Sequence, residues 1–166
     1  MKKIIPVLAL FCLLLTSCDR KVEMKFPPLD NVYDRFGKVE GYSISRDKPK
    51  MVTYYTSTGW DIFHQKPGEM EDRIRRNPGW QFVFIVDGPP KDTTYIMGLL
   101  NQQELNIPVI FDFNHYFTKH AHYQAGGITA VGYIVDKDNI IRGSIGPACS
   151  DYSNMITEFK KWGGRY

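Results

Sequence analysis

The chain has 166 residues, of which 43% are hydrophobic and 14% aromatic, and it contains three cysteines. The length suits one domain, since single domains centre on about 100–150 residues. The composition excludes an intrinsically disordered chain and a disulfide scaffold, because the apolar content is ordinary and cysteine is scarce. Lysine and arginine number 21 against 18 acidic residues, a small basic excess that depends on the first residues of the chain.

The N-terminus has the features of an export signal. Two lysines precede an apolar run over residues 4–15, which is too short to span a bilayer because a spanning helix needs about 20 residues. The sequence Leu15-Thr16-Ser17-Cys18 resembles the bacterial lipobox, in which an aliphatic residue and two small residues precede a cysteine. The resemblance implies a signal peptide over residues 1–17 and a lipoprotein acylated at Cys18 with diacylglycerol and palmitate-type chains. The alternative is an ordinary secretory signal with an incidental cysteine.

Removal of this signal changes what the charge implies about partners. Without its two lysines the chain keeps 19 basic and 18 acidic side chains, so no basic excess indicates nucleic acid. The predicted partner is instead a bacterial membrane, inner or outer, which would hold the protein through its acyl chains. The folded part is expected to face the periplasm.

Two regions follow the predicted lipidation site. Residues 18–50 are polar and are interrupted by proline and glycine, which predicts a lipidated tether and a poorly defined N-terminal segment. One short strand is expected near Tyr42–Ser45. Apolar runs of strand length then alternate with helical patterns, so residues 51–166 are the predicted folded domain.

The elements of that domain follow from the spacing of apolar residues. Gln81–Val86 is almost continuously apolar, as in a strand that is buried on both faces. Asp92 and Ser153 can each cap a helix, and Phe159 and Trp162 should share one face of the last helix. The predicted strands are 51–56, 81–86, 108–113, 131–135 and 139–144; the predicted helices are 69–77, one from Asp92, 114–122, and one from Ser153 that ends at Gly163.

The order of these elements predicts the topology. Strands that are joined through helices should be parallel, with right-handed crossovers, whereas the last two strands, joined by the short polar turn Asp136–Asn139, must be antiparallel. The predicted fold class is therefore α/β, with a mixed β-sheet that is covered by helices on both faces.

This order resembles the thioredoxin-like superfamily, with Met51–Tyr55 opening it and Tyr133–Asp138 near its end. It resembles most the membrane-anchored, cytochrome-maturation type of thioredoxin and the related peroxiredoxins, whose inserted helix–strand unit matches Asp92–Asp112. The likeness covers residues 51–162. It implies a thioredoxin-like mixed sheet and, for the family, thiol–disulfide or peroxide chemistry.

The residues that perform this chemistry in the family do not match. The family uses W-C-x-x-C at the start of its first helix, where a thiolate of lowered pKa attacks a disulfide or peroxide. Here the two cysteine positions fall on Gly59 and Ile62, or on Asp61 and His64 when Trp60 is aligned. The cis-proline that the family places before its hairpin is replaced by Ala130. Two hallmarks of thiol exchange are absent, which predicts a redox-inactive, non-catalytic binding module.

A ligand-binding edge is predicted where the parallel strands end, because open α/β sheets bind ligands at the carboxyl ends of their strands. Loop residue Trp60 could anchor a peptide or a small apolar ligand there; the alternative is a ring folded back on the first helix. For the aspartates, the alternative is that they cap helices or solvate strand ends. The residues predicted at this edge are Gly59, Trp60, Asp61, His64, Asp87, Asp112, Ala130 and Cys149.

Cys149 is the one thiol left in the mature chain besides Cys18. It could act as a nucleophile beside His64, with Asp61 as a further weak catalytic candidate; the alternative is a small buried hydrophobic side chain. The alternative function is accordingly a divergent thiol–disulfide oxidoreductase, or a peroxide-related accessory protein, that uses Cys149.

No cofactor or metal is predicted. His115, His120 and His122 cluster in sequence, but no cysteine or carboxylate completes a zinc spacing. Asp136 and Asp138 resemble the start of a calcium loop, yet glycine is missing at the sixth position and glutamate at the twelfth, which excludes an EF-hand.

Overall fold

The computed structural model describes residues 22–56, 67–120, 130–145, 157 and 159–165. Over these residues the chain forms seven strands and three helices, and residues 157 and 159–161 are helical as well. The strands are β1 (Val32–Asp34), β2 (Gly37–Lys38), β3 (Lys50–Thr56), β4 (Gln81–Asp87), β5 (Val109–Asp112), β6 (Ala130–Val135) and β7 (Ile141–Ile145). The helices are α1 (Pro67–Arg76), α2 (Asp92–Gln102) and α3 (Tyr116–His120).

All seven strands belong to one mixed sheet, in the order β2-β1-β5-β4-β3-β6-β7. The three strands that alternate with helices, β3, β4 and β5, are parallel, whereas β6 is antiparallel to both β3 and β7. The predicted mixed α/β sheet is therefore confirmed, and the predicted strands of the domain agree with the observed ones to within two residues at each end.

Side chains of the sheet alternate between two apolar clusters. In β4, Phe82, Phe84 and Val86 belong to one cluster, and Val83 and Ile85 belong to the other. The first cluster is completed by side chains of α1 and α2, and the second by a side chain of α3. Helices thus cover both faces, which explains why β4 is apolar along its whole length. Among the described residues, no helix is both long and apolar enough to cross a membrane.

The segment before the predicted domain differs from the predicted tether. Val22 hydrogen-bonds with the first residue of β7 and Met24 with the turn before it, Met24 and Val32 are buried in the core, and β1 pairs with β5. These strands have only two or three residues, so they are too short to produce a recognisable alternation of apolar and polar residues.

The prediction of a strand near Tyr42–Ser45 is wrong, because this stretch has no regular secondary structure. The side chain of Gln81 occupies its backbone groups instead: the Ser45 N–H donates to Gln81 Oε1 at 2.7 Å, and Gln81 Nε2 donates to the Ser43 carbonyl at 2.8 Å. A side chain on β4 thereby satisfies backbone groups that would otherwise need a neighbouring strand.

Helix ends also differ from prediction. Helix α2 begins at Asp92 with Lys91 as its cap and no side-chain cap, so Asp92 lies in the first turn, where its charge favours the helix dipole. At the C-terminus, Phe159 is buried as predicted, whereas Trp162 is 41% exposed. Gly163 ends the helical turn with a φ of 88°. The predicted cap at Ser153 lies outside the described residues.

The turn between β6 and β7 is organised by one carboxylate. Asp136 Oδ1 accepts from the N–H groups of Asp138 and Ile140, both at 2.9 Å, and Oδ2 accepts from Arg142 Nε at 2.7 Å. Burial acts to raise the pKa of Asp136, but these hydrogen bonds and the Arg142 charge hold the pKa below its ordinary value. Asn139, at a φ of 62°, completes the turn.

The same turn is tied to the beginning of β3 by a buried ammonium. Lys50 is fully buried, and its Nζ donates to the carbonyls of Lys48, Asp136 and Lys137 at 3.0 to 3.4 Å. Burial lowers the pKa of Lys50, and the nearby carboxylates, Asp136 first among them, oppose this effect. The carbonyls supply the hydrogen bonds that a buried charge requires.

We expect Asp136→Ala to lower the free energy of unfolding by about 1–3 kcal/mol, because two backbone donors and a guanidinium lose their acceptor. Urea unfolding at neutral pH measures the effect. Asp138→Ala is the matched control: its side chain is exposed in the same turn, so the change should stay within about 0.5 kcal/mol. Equal losses in the two variants would contradict the role given to Asp136.

Candidate functional site

The carboxyl ends of the parallel strands bring polar residues to one edge of the sheet. Thr56, Asp87 and Asp112 are consecutive register partners across β3, β4 and β5, and Tyr55 pairs with Ala130 on the other side. Asp87 and Asp112 are thus neighbours at this edge, and Ala130 lies at the same edge on the far side of β3. That they bind a ligand stays a prediction.

The other residues that sequence reasoning placed at this edge lie outside the described residues. The peptide bond that precedes Ala130 also lies outside them, because it joins Ala130 to Thr129. The predictions for these residues and for lipidation therefore stay predictions. The residues concerned are Cys18, Gly59, Trp60, Asp61, His64 and Cys149.

Asp87 is the centre of a hydrogen-bonded group at the edge. Its side chain is only 8% exposed. The hydroxyl of Tyr54 donates to Oδ2 at 2.5 Å, and Nδ1 of His115 contacts Oδ1. Both carboxylate oxygens therefore have a protein partner, which a buried carboxylate requires.

Tyr54 connects this group to the core. It is buried, and its ring stacks on Phe117 of α3 with centroids 5.0 Å apart. Burial raises the pKa of Tyr54 well above its ordinary value, and the hydrogen bond to Asp87 and the charge of that carboxylate raise it further. The phenol therefore stays neutral and acts as a donor, with Asp87 as the acceptor.

His115 is the residue of this group that sequence reasoning missed, because it considered His115 only as a metal ligand. Its side chain is 59% exposed, although Nδ1 lies against the buried Asp87. An ionised carboxylate only accepts hydrogen bonds, so Nδ1 carries the proton in this pair and Nε2 is left for other contacts. Asp87 precedes His115 by 28 positions, and no local pattern links two residues so far apart.

Asp112 has a structural role. It is 2% exposed, and its carboxylate accepts from the N–H groups of Tyr116 and Phe117 at 2.8 and 2.6 Å. These are the first two residues of α3, so Asp112 caps the helix, which was the alternative to a ligand-binding role. The cap also positions His115, whose N–H donates to the Asp112 carbonyl at 3.3 Å and whose φ is 55°.

The histidines do not form a metal site within the described residues. These residues contain no group of three histidine, cysteine, aspartate or glutamate side chains that could hold a metal ion. His120 stacks on Tyr116 at 4.0 Å, and its Nδ1 contacts the Tyr116 carbonyl at 2.8 Å. His122 lies outside the described range.

What the edge can do chemically follows from the Asp87–His115 pair. A carboxylate that contacts one imidazole nitrogen orients the ring, as in many catalytic and ligand-binding histidines. The other nitrogen can accept a proton or donate a hydrogen bond. The described part of the edge thus presents one oriented imidazole to solvent.

Comparisons with known proteins identify the fold. No family model matches the chain, and no curated protein matches it. Solved structures do match. A thioredoxin-family thiol:disulfide interchange protein from Chlorobium tepidum has a TM-score of 0.59 at 17% identity, over 86% of this chain and 98% of that one.

Two further structures agree. A thioredoxin-like protein from Porphyromonas gingivalis has a TM-score of 0.54 at 12% identity, with 87% of this chain and 97% of that one covered. A secreted disulfide oxidoreductase from Mycobacterium tuberculosis has a TM-score of 0.52 at 13% identity, with coverages of 78% and 93%. The chain has the thioredoxin-like α/β fold, as its element order predicts.

We expect Tyr54→Phe to lower the free energy of unfolding by about 1.5–3 kcal/mol at neutral pH, because Asp87 loses a hydrogen bond. The difference from wild type should shrink above about pH 10, where the unfolded chain ionises its tyrosine while the raised pKa keeps the folded phenol neutral. Urea unfolding of both proteins, from neutral pH to about pH 11, measures this difference in the free energy of unfolding.

Tyr95→Phe is the control for this series, because Tyr95 is exposed on α2. Its effect should be smaller than that of Tyr54→Phe, because Tyr95 is 53% exposed whereas Tyr54 is buried. A loss in Tyr54→Phe that stays constant up to about pH 11 would contradict the neutral, donating phenol, since that loss would then be independent of tyrosine ionisation.

Proposed function

We propose that the chain is a lipid-anchored, extracytoplasmic protein of thioredoxin-like fold that binds a partner at the carboxyl edge of β3–β5 and does not exchange thiols and disulfides. One observation carries the proposal. The fold is that of thiol–disulfide oxidoreductases, but the sequence has cysteine only at positions 12, 18 and 149. Such cysteines cannot form the pair, separated by two residues, on which this chemistry depends.

Each cysteine has a different predicted fate. Cys12 lies in the segment that is removed with the signal, and Cys18 is consumed by acylation. Cys149 then remains as a single thiol, which can form a mixed disulfide with another molecule but has no second thiol in the chain to resolve it. A catalytic cycle of the family's type therefore has no resolving step.

The described part of the edge supports a binding role. Asp87, itself bound by the Tyr54 hydroxyl, contacts the His115 ring at Nδ1, and most of the His115 side chain is exposed. A fixed imidazole loses little conformational entropy when it binds, which favours binding by a preorganised group. The partner expected here is a protein, a peptide or a small ligand of the periplasm, bound by hydrogen bonds to this ring.

The second candidate function is thiol chemistry at Cys149, as an accessory to a dithiol protein. It is favoured by the names of the similar structures, among them a thiol:disulfide interchange protein and a disulfide oxidoreductase. The names apply to the similar proteins themselves, and sequence identities of 17% and 13% support only a shared fold.

A redox assay distinguishes the two functions. We expect the purified mature protein to reduce insulin, and to consume peroxide, no faster than the dithiol reductant alone. Cys149→Ala is the matched variant and should behave identically to wild type. Thiol-dependent turnover that Cys149→Ala abolishes would overturn the non-catalytic proposal and favour the second function.

Lipidation has its own test. We expect Cys18→Ala to abolish both acylation and removal of the signal, because the thiol is the acceptor of the diacylglycerol. The readouts are metabolic labelling with a fatty acid and the mass of the purified protein. Cys149→Ala is the control and should be acylated as wild type is. Unchanged mass and labelling in Cys18→Ala would contradict the lipobox.

A further inference from the structure

The first described residues are part of the folded body. The Ile141 N–H donates to the Val22 carbonyl at 2.9 Å, the Met24 N–H donates to the Asn139 carbonyl at 2.7 Å, and Glu23 forms an antiparallel bridge with Ile140. Met24 is buried in the core between these contacts. Three residues, 19–21, lie between Cys18 and Val22, so little chain lies between the predicted lipid and the sheet.

Covalent geometry limits how far the anchor can lie from the sheet. A chain spans at most about 3.6 Å per residue when it is fully extended, so Cys18 lies within about 14 Å of Val22 in any conformation. Val22 lies beside Ile141, the first residue of β7. An acyl chain on Cys18 would therefore hold the β7 side of the sheet at the bilayer surface.

We propose that the turn between β6 and β7, together with residues 22–25, is the surface that contacts lipid headgroups, and that the β1–β2 hairpin lies on the side away from the membrane. This inference rests on the proposed acylation of Cys18. It predicts that the domain is held directly on the bilayer and not at the end of a long tether.

The width of the sheet gives the distance between the proposed membrane-facing side and the β1–β2 hairpin. Strands β7 and β2 are its two edges, and six strand spacings of about 4.8 Å place them about 29 Å apart. Phe36, at the tip of the β1–β2 hairpin, is 73% exposed, and the Arg35 guanidinium lies 4.6 Å from its ring centroid. The proposed orientation turns this aromatic side chain toward the periplasm.

The chemistry of the near surface fits headgroup contact and does not fit insertion. Lys25, Lys137 and Asp138 are exposed there, so the surface carries charges of both signs. The large exposed hydrophobic residues of the described chain are Phe36, Tyr95 and Trp162, and all three lie outside residues 22–25 and 136–142. The acyl chains therefore supply the membrane affinity and the protein surface faces polar headgroups.

Fluorescence quenching by labelled lipids tests this orientation. The full-length acylated protein is reconstituted into vesicles of phosphatidylethanolamine and phosphatidylglycerol that contain a headgroup quencher. One fluorophore is attached at Lys137→Cys or at Lys38→Cys, both in a Cys149→Ala background. Both positions are exposed lysines, so the charge change is the same. The label at 137 should lose most of its emission, and the label at 38 should keep most of its emission.

A flotation measurement on the same samples separates the two proposals. Protein that does not float with the vesicles would overturn the lipid anchor itself. Protein that floats but shows equal quenching at both positions, or stronger quenching at 38, would overturn the orientation and leave the anchor intact.

A linker variant tests whether the short connection between Cys18 and Val22 causes the proposed orientation. About 20 glycine and serine residues inserted after Asp19 extend the reach by roughly 25 Å. The variant should still float, and the difference in quenching between positions 137 and 38 should disappear. A difference that persists would contradict the short connection as its cause.

Discussion

The rest of the structure depends on the position of β3 between β4 and β6. It pairs in parallel with β4 and antiparallel with β6 over nearly its whole length, and the two faces of the strand contribute to separate apolar clusters. A strand that is enclosed in this way must satisfy its polar groups at its two ends. At one end the Lys50 ammonium binds the turn between β6 and β7, and at the other end Tyr54 reaches the Asp87 carboxylate.

Burying Asp87 costs free energy that its partners must offset, because a carboxylate away from water needs donors for both oxygens. Tyr54 supplies one donor from the core and His115 supplies the other from the end of β5. The second partner is also exposed to solvent, so the same pairing that stabilises the carboxylate orients an imidazole at the surface. Stability and the proposed binding role therefore depend on one set of hydrogen bonds.

Sequence reasoning succeeded where the pattern is local and long enough. The continuous apolar run of β4 and the polar turn Asp136–Asn139 predict a buried strand and a hairpin, and both are present. It failed where side chains replaced backbone partners, as Gln81 does for Ser43 and Ser45. It also failed for β1 and β2, because two or three residues carry no periodicity.

The sequence by itself determined the order of the elements from β3 onward, the two-sided burial of the sheet and the number and spacing of the cysteines, because each of these is a property of neighbouring residues or of composition. Only the tertiary structure decided that Asp87 meets His115 and that Val22 meets Ile141. Those pairs depend on strand order and register, which join residues far apart in the chain. The proposed binding edge and the proposed membrane-facing surface both rest on such pairs.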